Sequence, residues 1–377
     1  MLSTNEDIVD GVVVAAASAE PVLRLQNVSR TFADGRIVAV DDFSLDVYPG
    51  EIVSILGPSG CGKTTTMRLI AGLEEPTGGD IEVFGKSVRG QPPHRRNIGL
   101  VFQSLAIFPH MSVRRNVAFG LRMKGLERAA IERKVQEMLD LVHLPVAEYG
   151  ERMPSQLSGG QLQRVALART LATEPALVLF DEPMAALDRR LRDYMAVELR
   201  NIQKSLNVAA IYVTHDQETA SAMSDRIVIM ESGRVMQVGT PEEVYERPDS
   251  RFVATFLGDM NFLEAGAIGV WSDGIRMVRV ADGALVVADD SSDQRQTGSV
   301  AVRPEHIELV AEAPEGPSLS AQLEETLFSS GFYRSRVRLS DGQEVLASST
   351  ENTAVKACTN GRVWLRIRQG RARILES

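Results

Sequence analysis

The chain has 377 residues, 44% of them hydrophobic and 24% charged, with a formal net charge of −9. That length exceeds one ordinary domain and can bury a sizeable core, while the acidic balance excludes general affinity for nucleic acid, which needs a basic footprint. The two cysteines, Cys61 and Cys358, supply neither a disulfide framework nor a metal-ligand spacing, so a reduced, cytosolic setting is expected.

Residues 1–20 read as a flexible extension. "MLSTNEDIVD" is acidic where a secretory signal would be basic, and "GVVVAAASA" falls far short of the roughly 20 apolar residues a membrane-spanning helix needs. From 21 to 245, short apolar runs alternate with helical patterns. "EIVSIL", "ALVLF", "AAIYV" and "RIVIM" are rich in Ile and Val, as strands buried on both faces are. In "ERAAIERKVQEMLDLV" the apolar Ile131, Val135, Met138, Leu139 and Val142 recur at helical spacing, and Leu187, Leu191, Tyr194, Met195, Ile202 and Leu206 do so further on. Such alternation predicts an α/β domain with a mainly parallel sheet and helices on both faces.

After residue 245 the pattern changes. "YERPDSRFVATFLGD" reads as a connector (246–258) with one helical patch. Residues 259–377 then show short alternating runs and hairpin signals at Asp273-Gly274, Asp282-Gly283, Asp341-Gly342 and Asn360-Gly361. In "RVWLRIR", Val363, Leu365 and Ile367 share one side. These features predict a small all-β domain, a barrel or sandwich of OB type.

Three stretches carry chemistry. "GPSGCGKTT" follows "EIVSIL" and fits G-x-x-x-x-G-K-[ST], a P-loop. Its glycines let backbone N–H groups turn inward around phosphate oxygens, and the following helix adds its N-terminal dipole. Gly57, Pro58, Ser59, Gly60, Cys61, Gly62, Lys63, Thr64 and Thr65 are therefore candidate nucleotide contacts. Lys63 would reach the outer phosphates, and the Thr64 hydroxyl would sit on Mg²⁺. "ALVLFDEP" ends a buried strand on Asp181 and Glu182. Asp181 suits Mg²⁺ orientation, and Glu182 suits polarising an attacking water. "LSGGQ" sets Ser158, Gly159, Gly160 and Gln161 at the start of a helix, as an anion site without a lysine or as an ordinary Ser-capped helix.

The order of these stretches, with "VFQS" (Gln103), "AALD" (Asp188) and "VTHD" (His215), is similar to that of ATP-binding cassette (ABC) ATPases over residues 21–245. The resemblance implies a P-loop NTPase fold with a helical subdomain at about 104–170. It also implies two copies facing head to tail, each ATP held between one phosphate loop and the partner's "LSGGQ". Gln103 would sense the γ-phosphate and Mg²⁺, Asp188 would act across the dimer, and His215 would contact the γ-phosphate and help position Glu182 and water. Phe32 matches the family's aromatic ring under adenine, with a buried core phenylalanine as the other reading. The sequence departs from the family pattern at Ala185, where a serine is frequent before Leu187-Asp188, and at Leu162, where a glutamine is frequent. Cys61 matches a cysteine common in the family and is assigned no redox role.

"QSLAIFPHMSVRRNVAFGLRMKG" resembles the segment of importer ATPases on which a permease helix docks. Phe108, Pro109 and Met111 would then form an apolar seat, or simply pack the helical subdomain. "AVRPEHIEL" and "FYRSRVRLSDGQEVLA" resemble the regulatory β-domain of importer ATPases for sugars, polyamines, ferric iron and related solutes, and "FLGDMNFLEA" and "FYRSRVRL" look most like the polyamine branch. Together these imply an ATP-hydrolysing subunit at the cytoplasmic face of the inner membrane, working with a second copy of itself, two permease subunits and an external solute-binding protein. Its solute would be spermidine or putrescine, with ferric iron or a sugar as the alternative. A soluble ABC ATPase acting on nucleic acid or the ribosome is a different class. Its DNA-repair members carry a long coiled-coil insertion and its translation factors two cassettes, and this sequence has neither. Arginines interleaved with Trp364 raise an OB-type nucleic-acid surface, which the net charge disfavours against a solvated strand face.

Overall fold

A computed structural model describes residues 20–33, 35–185, 187–264, 268–270, 276–281, 283–287, 299–358, 360–368 and 370–375. The expected N-terminal extension (but for Glu20) and the Asp273-Gly274 turn lie outside the described residues, as does Asp282. The chain divides into two compact units, Met1–Pro241 and Glu242–Ser377.

The first unit begins with an antiparallel hairpin, β1 (Leu23–Phe32) and β2 (Ile37–Val47). Phe43, Leu45 and Val47 point into the core between the outward Ser44 and Asp46, the period-two pattern of a strand with one wet face. Next come β3 (Ile52–Leu56), α1 (Lys63–Ala71), β4 (Gly78–Val83), β5 (Lys86–Ser87) and β6 (Ile98–Val101). Four helices follow, α2 (Val113–Met123), α3 (Arg128–Leu141), α4 (Val146–Tyr149) and α5 (Gly159–Leu171). The unit closes with β7 (Leu177–Asp181), α6 (Arg189–Leu206), β8 (Ala209–Val213), α7 (Gln217–Met223), β9 (Arg226–Glu231) and β10 (Arg234–Gly239).

Two sheets result. A six-stranded sheet runs β10-β9-β3-β8-β7-β6, parallel except for the β9–β10 hairpin. An antiparallel sheet, β2-β1-β4-β5, accompanies it; the helix-strand alternation did not anticipate it. Strand alternation in the parallel sheet divides the core. Val178, Phe180, Ala210 and Tyr212 face the cluster formed by α2, α3, α5 and α6. Leu177, Leu179, Ile211, Val213, Val53 and Ile55 face the other way, onto α1 and the antiparallel sheet. The helical assignment of Leu187 needs correction, because the residue precedes α6 and its N-cap Asp188. Tyr194 lies outside the apolar stripe at 55% exposure.

The second unit carries α8 (Pro241–Glu246) at its entry and α9 (Arg251–Phe256), two helical turns where the sequence suggested one patch. Its strands are β11 (Asn261–Glu264), β12 (Ile268–Val270), β13 (Arg276–Val280), β14 (Gly283–Val287), β15 (Ser299–Val302), β16 (Ile307–Val310), β17 (Leu319–Ser329), β18 (Phe332–Leu339) and β19 (Glu344–Ser349), then α10 (Thr353–Ala357), β20 (Arg362–Ile367) and β21 (Ala372–Leu375). They form antiparallel sheets ordered β11-β15-β21, β12-β13-β14 and β16-β20-β17-β18-β19 around one apolar core. Asn360 (φ +58°) and Gly361 (φ +72°) form a left-handed turn, but it leads from α10 into β20 and joins no two paired strands, so the expected hairpin there is corrected to a helix-to-strand turn. Val363 and Leu365 face the core as their alternation predicts.

Candidate functional site

The parallel sheet gathers the sequence motifs along one edge. The P-loop follows β3, His215 follows β8, Asp181 and Glu182 end β7, and Gln103 follows β6. These four strands are consecutive neighbours, so their loops emerge side by side at the carboxyl ends, where open α/β sheets bind ligands.

The phosphate loop is shaped by contacts only glycine allows. A Cβ on Gly57 would sit 2.3 Å from the Met230 carbonyl oxygen, and one on Gly62 2.3 Å from that of Ala39. Gly62 also has φ +110° and Gly60 φ +84°, in the region L side chains avoid. Lys63 is only 7% exposed, and its Nζ donates to the carbonyls of Gly57 (2.7 Å) and Pro58 (2.9 Å), arching back over the loop. Ser59 and Thr64 are exposed, Thr65 is half-buried, and Cys61 is buried in the core beneath. At its far end α1 stops at Gly72. There the buried Arg96 donates to the carbonyls of Leu69 (2.8 Å) and Ile70 (3.3 Å), fixing the helix that carries the loop.

Asp181 and Glu182 stand at the end of β7. Burial, and then the neighbouring Glu182 charge, push the Asp181 carboxyl above its usual range, with Arg68 partly opposing them. Glu182 has φ +44°, an uncommon conformation for a residue with a side chain, and its amide donates to Val213 on β8 at 3.0 Å. His215 Nδ1 lies 2.9 Å from Glu182 Oε1. The structure thus brings Glu182 and His215 together directly, although 33 positions separate them. Beyond Glu182, Gln163 of α5 donates to the Pro183 carbonyl.

Gln103 is exposed in a turn whose carbonyls at Leu105 and Ala106 accept from Arg169 of α5 at 2.9 and 2.7 Å. Phe108 packs on Phe119 with ring centroids 4.6 Å apart, within the helical subdomain, whereas Pro109 is exposed. Phe32 is half-buried at the end of β1 with the Arg30 guanidinium 4.4 Å from its ring centroid, and it is not a core residue.

The "LSGGQ" stretch opens α5. Ser158 caps the helix by accepting from the Gln161 amide (3.3 Å), and Gln161 Oε1 returns the bond from the Ser158 amide (2.9 Å). Asp188 caps α6 by accepting from Leu191 N at 3.0 Å. Gly159 and Gly160 meet no obstacle, since a Cβ at either would find leucine methyls no closer than 3.7 Å. Among the described residues nothing requires glycine there. The sequence reading did not single out Arg96, Arg169 or Arg192. They act through backbone carbonyls and two carboxylates, Glu75 for Arg96 and Asp216 for Arg192, which no local pattern reveals.

The ABC transporter family matches residues 40–185, and the TOBE domain family matches residues 300–375. The chain is 45% identical over 352 residues to the spermidine/putrescine import ATP-binding protein PotA of Rubrobacter xylanophilus, covering 92% of each. The chain belongs to the ABC family of import ATPases. It is also 47% identical to PotA of Thermobifida fusca, over 81% of this chain and 80% of that one. To PotA 1 of Pseudomonas aeruginosa it is 42% identical, over 90% and 92% respectively. Among solved structures, cbiO1 of Clostridium perfringens, part of the ABC transporter complex cbiONQ, superposes with TM-score 0.56 at 29% identity, covering 60% of this chain and 90% of that one. A post-hydrolysis dimer of an ATP-binding cassette bound to ADP and Pi superposes with TM-score 0.52 at 31% identity, covering 58% and 98%. This import ATPase is thus an ABC nucleotide-binding fold followed by an all-β domain of OB type. Among its described residues no helix is long and apolar enough to cross a membrane.

Proposed function

We propose that the chain is the ATP-hydrolysing subunit of a polyamine importer, driving uptake of spermidine or putrescine. The observation that carries the catalytic part is the Glu182–His215 pair at the mouth of the P-loop sheet. The likeness to spermidine/putrescine import proteins over most of the chain supports the solute. Residues 21–245 would form the nucleotide-binding domain, 246–258 the connector and 259–377 the regulatory domain. The subunit would sit peripherally at the cytoplasmic face of the membrane, paired with a second copy and two permease subunits and supplied by an external solute-binding protein.

In this reading the loop amides from Gly57 to Thr65 and the Lys63 ammonium hold the phosphates. Phe32 offers its ring to the adenine, and the partner's Ser158–Gln161 and Asp188 close the pocket. Glu182 accepts a proton from the attacking water, and the His215 ring at 2.9 Å fixes the carboxylate's direction. Its strained backbone suits a group held for a task rather than for packing.

The residues also fit a magnesium ion. Asp181 and Glu182 are adjacent carboxylates, and burial and then the Glu182 charge push the Asp181 carboxyl up, with Arg68 partly opposing, as suits a site that gains from a cation. No cluster of three or more His, Cys, Asp or Glu able to hold a metal occurs among the described residues. Magnesium is commonly bound through one or two carboxylates plus substrate phosphates and needs no such cluster. Thr64, Gln103 and Asp181 would hold it, and it would supply charge neutralisation at the phosphate oxygens.

The test is ATP hydrolysis by the transporter reconstituted in vesicles. Hydrolysis should rise when the external protein is loaded with spermidine or putrescine. Glu182→Gln should bind ATP, accumulate closed dimers and nearly abolish turnover. Near-normal hydrolysis by Glu182→Gln would remove that residue from its role, and indifference to both polyamines would remove the assigned solute.

A further inference from the structure

One guanidinium joins two parts of the site that the motifs treat separately. Arg192 lies one turn inside α6, with its own amide bonded to the Asp188 carbonyl at 2.9 Å. Its side chain donates to the Leu187 carbonyl at 3.1 Å and to the Asp216 carboxylate. Leu187 immediately precedes Asp188, and Asp216 immediately follows His215. Asp216 is held on all sides. Its amide donates to Thr214 Oγ1 (2.9 Å), and its other carboxylate oxygen accepts from Thr219 N (3.0 Å), capping α7. Burial alone would push the Asp216 carboxyl up, but the Thr219 amide and Arg192 outweigh it and keep the group below its usual range. The pair is therefore ionised and partly shielded from water, the setting in which an arginine–carboxylate bond is directional.

Arg192 belongs to a stripe. Arg189 donates to both Glu218 oxygens, Arg192 binds Asp216, Ala196 is buried, and Arg200 binds the Met223 carbonyl and Asp225. These positions recur at helical spacing along α6, so one face of α6 is fastened to both ends of α7. Asp188 is the N-cap of α6, and Asp216, which follows His215, is the N-cap of α7, so the Arg192–Asp216 bond ties the two loops to each other.

We propose that Arg192 is a positioning residue that transmits engagement of Asp188 by a second copy of the chain to the His215–Glu182 pair. The inference rests on the reading that Asp188 meets the partner's nucleotide and Glu182 activates water. Hydrolysis would then respond to closure of the dimer, because a displacement of the Asp188 loop is passed through Arg192 and Asp216 to the His215 loop.

The test compares Arg192→Met, Arg192→Lys and Asp216→Asn in the full-length chain, with melting curves to confirm folding. Asparagine still caps a helix, so Asp216→Asn removes the charge and spares α7. Arg192→Met is expected to lower kcat roughly 10- to 100-fold, the usual cost of a misplaced catalytic group, with KM for ATP little changed. The Hill coefficient for ATP should fall toward unity. Adding Asp216→Asn to Arg192→Met should cost little more than Arg192→Met alone, since the arginine's bond to Asp216 is already gone, and Arg192→Lys should recover part of the rate. Wild-type kcat and cooperativity in a folded Arg192→Met or Asp216→Asn, or fully additive losses, would overturn the proposal. Glu182→Gln in the same assay separates the two ideas. If it is inert while Arg192→Met is normal, only the coupling fails; if it hydrolyses normally, the underlying reading fails as well.

Discussion

Replacing Gly159 and Gly160 by alanine should make the isolated chain more stable and the enzyme nearly inactive. Both residues have ordinary helical backbone at the start of α5, and neither has positive φ. A new Cβ at Gly159 meets Leu187 Cδ2 at 3.7 Å, and one at Gly160 meets the Leu191 methyls at 3.7 and 3.8 Å, all ordinary van der Waals contacts. Alanine is worth up to about 1 kcal/mol over glycine inside a helix, and part of that gain survives in the first turn. The double variant should therefore melt about 2–4 °C higher, the shift that about 1 kcal/mol produces in a unit of this size. If another chain's triphosphate must approach this helix start closely, the methyl added at the exposed Gly159 stands in its path, while that at the buried Gly160 packs on Leu191. A loss of about 100-fold or more in turnover, worth about 3 kcal/mol, is then expected. Gly62→Ala supplies the contrast, since its Cβ would collide with the Ala39 carbonyl at 2.3 Å and stability should fall. The assays are thermal melts of nucleotide-free protein and phosphate release at saturating Mg·ATP. Wild-type turnover in Gly159→Ala/Gly160→Ala would refute the idea that nucleotide reaches this helix start, and a lowered melting point would refute the packing argument.

The remaining expectations are simpler. Because burial and Glu182 raise the Asp181 pKa, the folded chain binds that proton more tightly than the unfolded chain. Stability from this group is thus greatest below the unfolded value of 3.8 and is lost as pH rises through the elevated folded value. Asp181→Asn should raise the melting point of nucleotide-free protein at pH 7, with the gap closing toward pH 4; a constant gap would deny the strain. In the second unit, the buried Arg303 donates to the carbonyls of Tyr245 (3.1 Å), Ala254 (2.9 Å) and Asp259 (3.2 Å) and covers the Tyr245 ring. Arg303→Met strands three acceptors and should cost about 3 kcal/mol or more in urea unfolding followed by near-UV circular dichroism; an unchanged midpoint would refute that accounting.

The legibility of the fold tracks how locally each element is specified. β3, β7 and β8 were readable because both their faces are buried and their sequences are continuous apolar runs. The antiparallel sheet was not. Pairing of β1 with β2 shifts register between Leu25 and Val28, between Val28 and Arg30, and again at Thr31, so the period-two signal is broken before it can be counted. Leu187 mimics a helical apolar position only because it packs on the same core as Leu191 from the preceding loop. Of the two hairpin signals that the described residues contain in full, Asp341-Gly342 joins the paired β18 and β19, whereas Asn360-Gly361 only turns the chain from α10 into β20, because the residues specify the turn and not the partner strand.

The site divides along the same line. The P-loop is legible because its proposed work falls to consecutive backbone amides, and spacing in sequence is spacing in space. The Glu182–His215 contact joins two strands, and in the sequence only the resemblance linked them. Arg192–Asp216 and Arg169–Ala106 have no local signature, and they are the bonds that hold the loops in place. "LSGGQ" presents the opposite case. Ser158 and Gln161 satisfy each other, Asp188 satisfies α6, and the fold would accept alanine at Gly159 and Gly160. A residue the chain does not need for itself is explained by what must come near it. By that argument the glycines of the P-loop answer to their own fold, and the glycines of α5 would answer to a second molecule, as the proposed function requires.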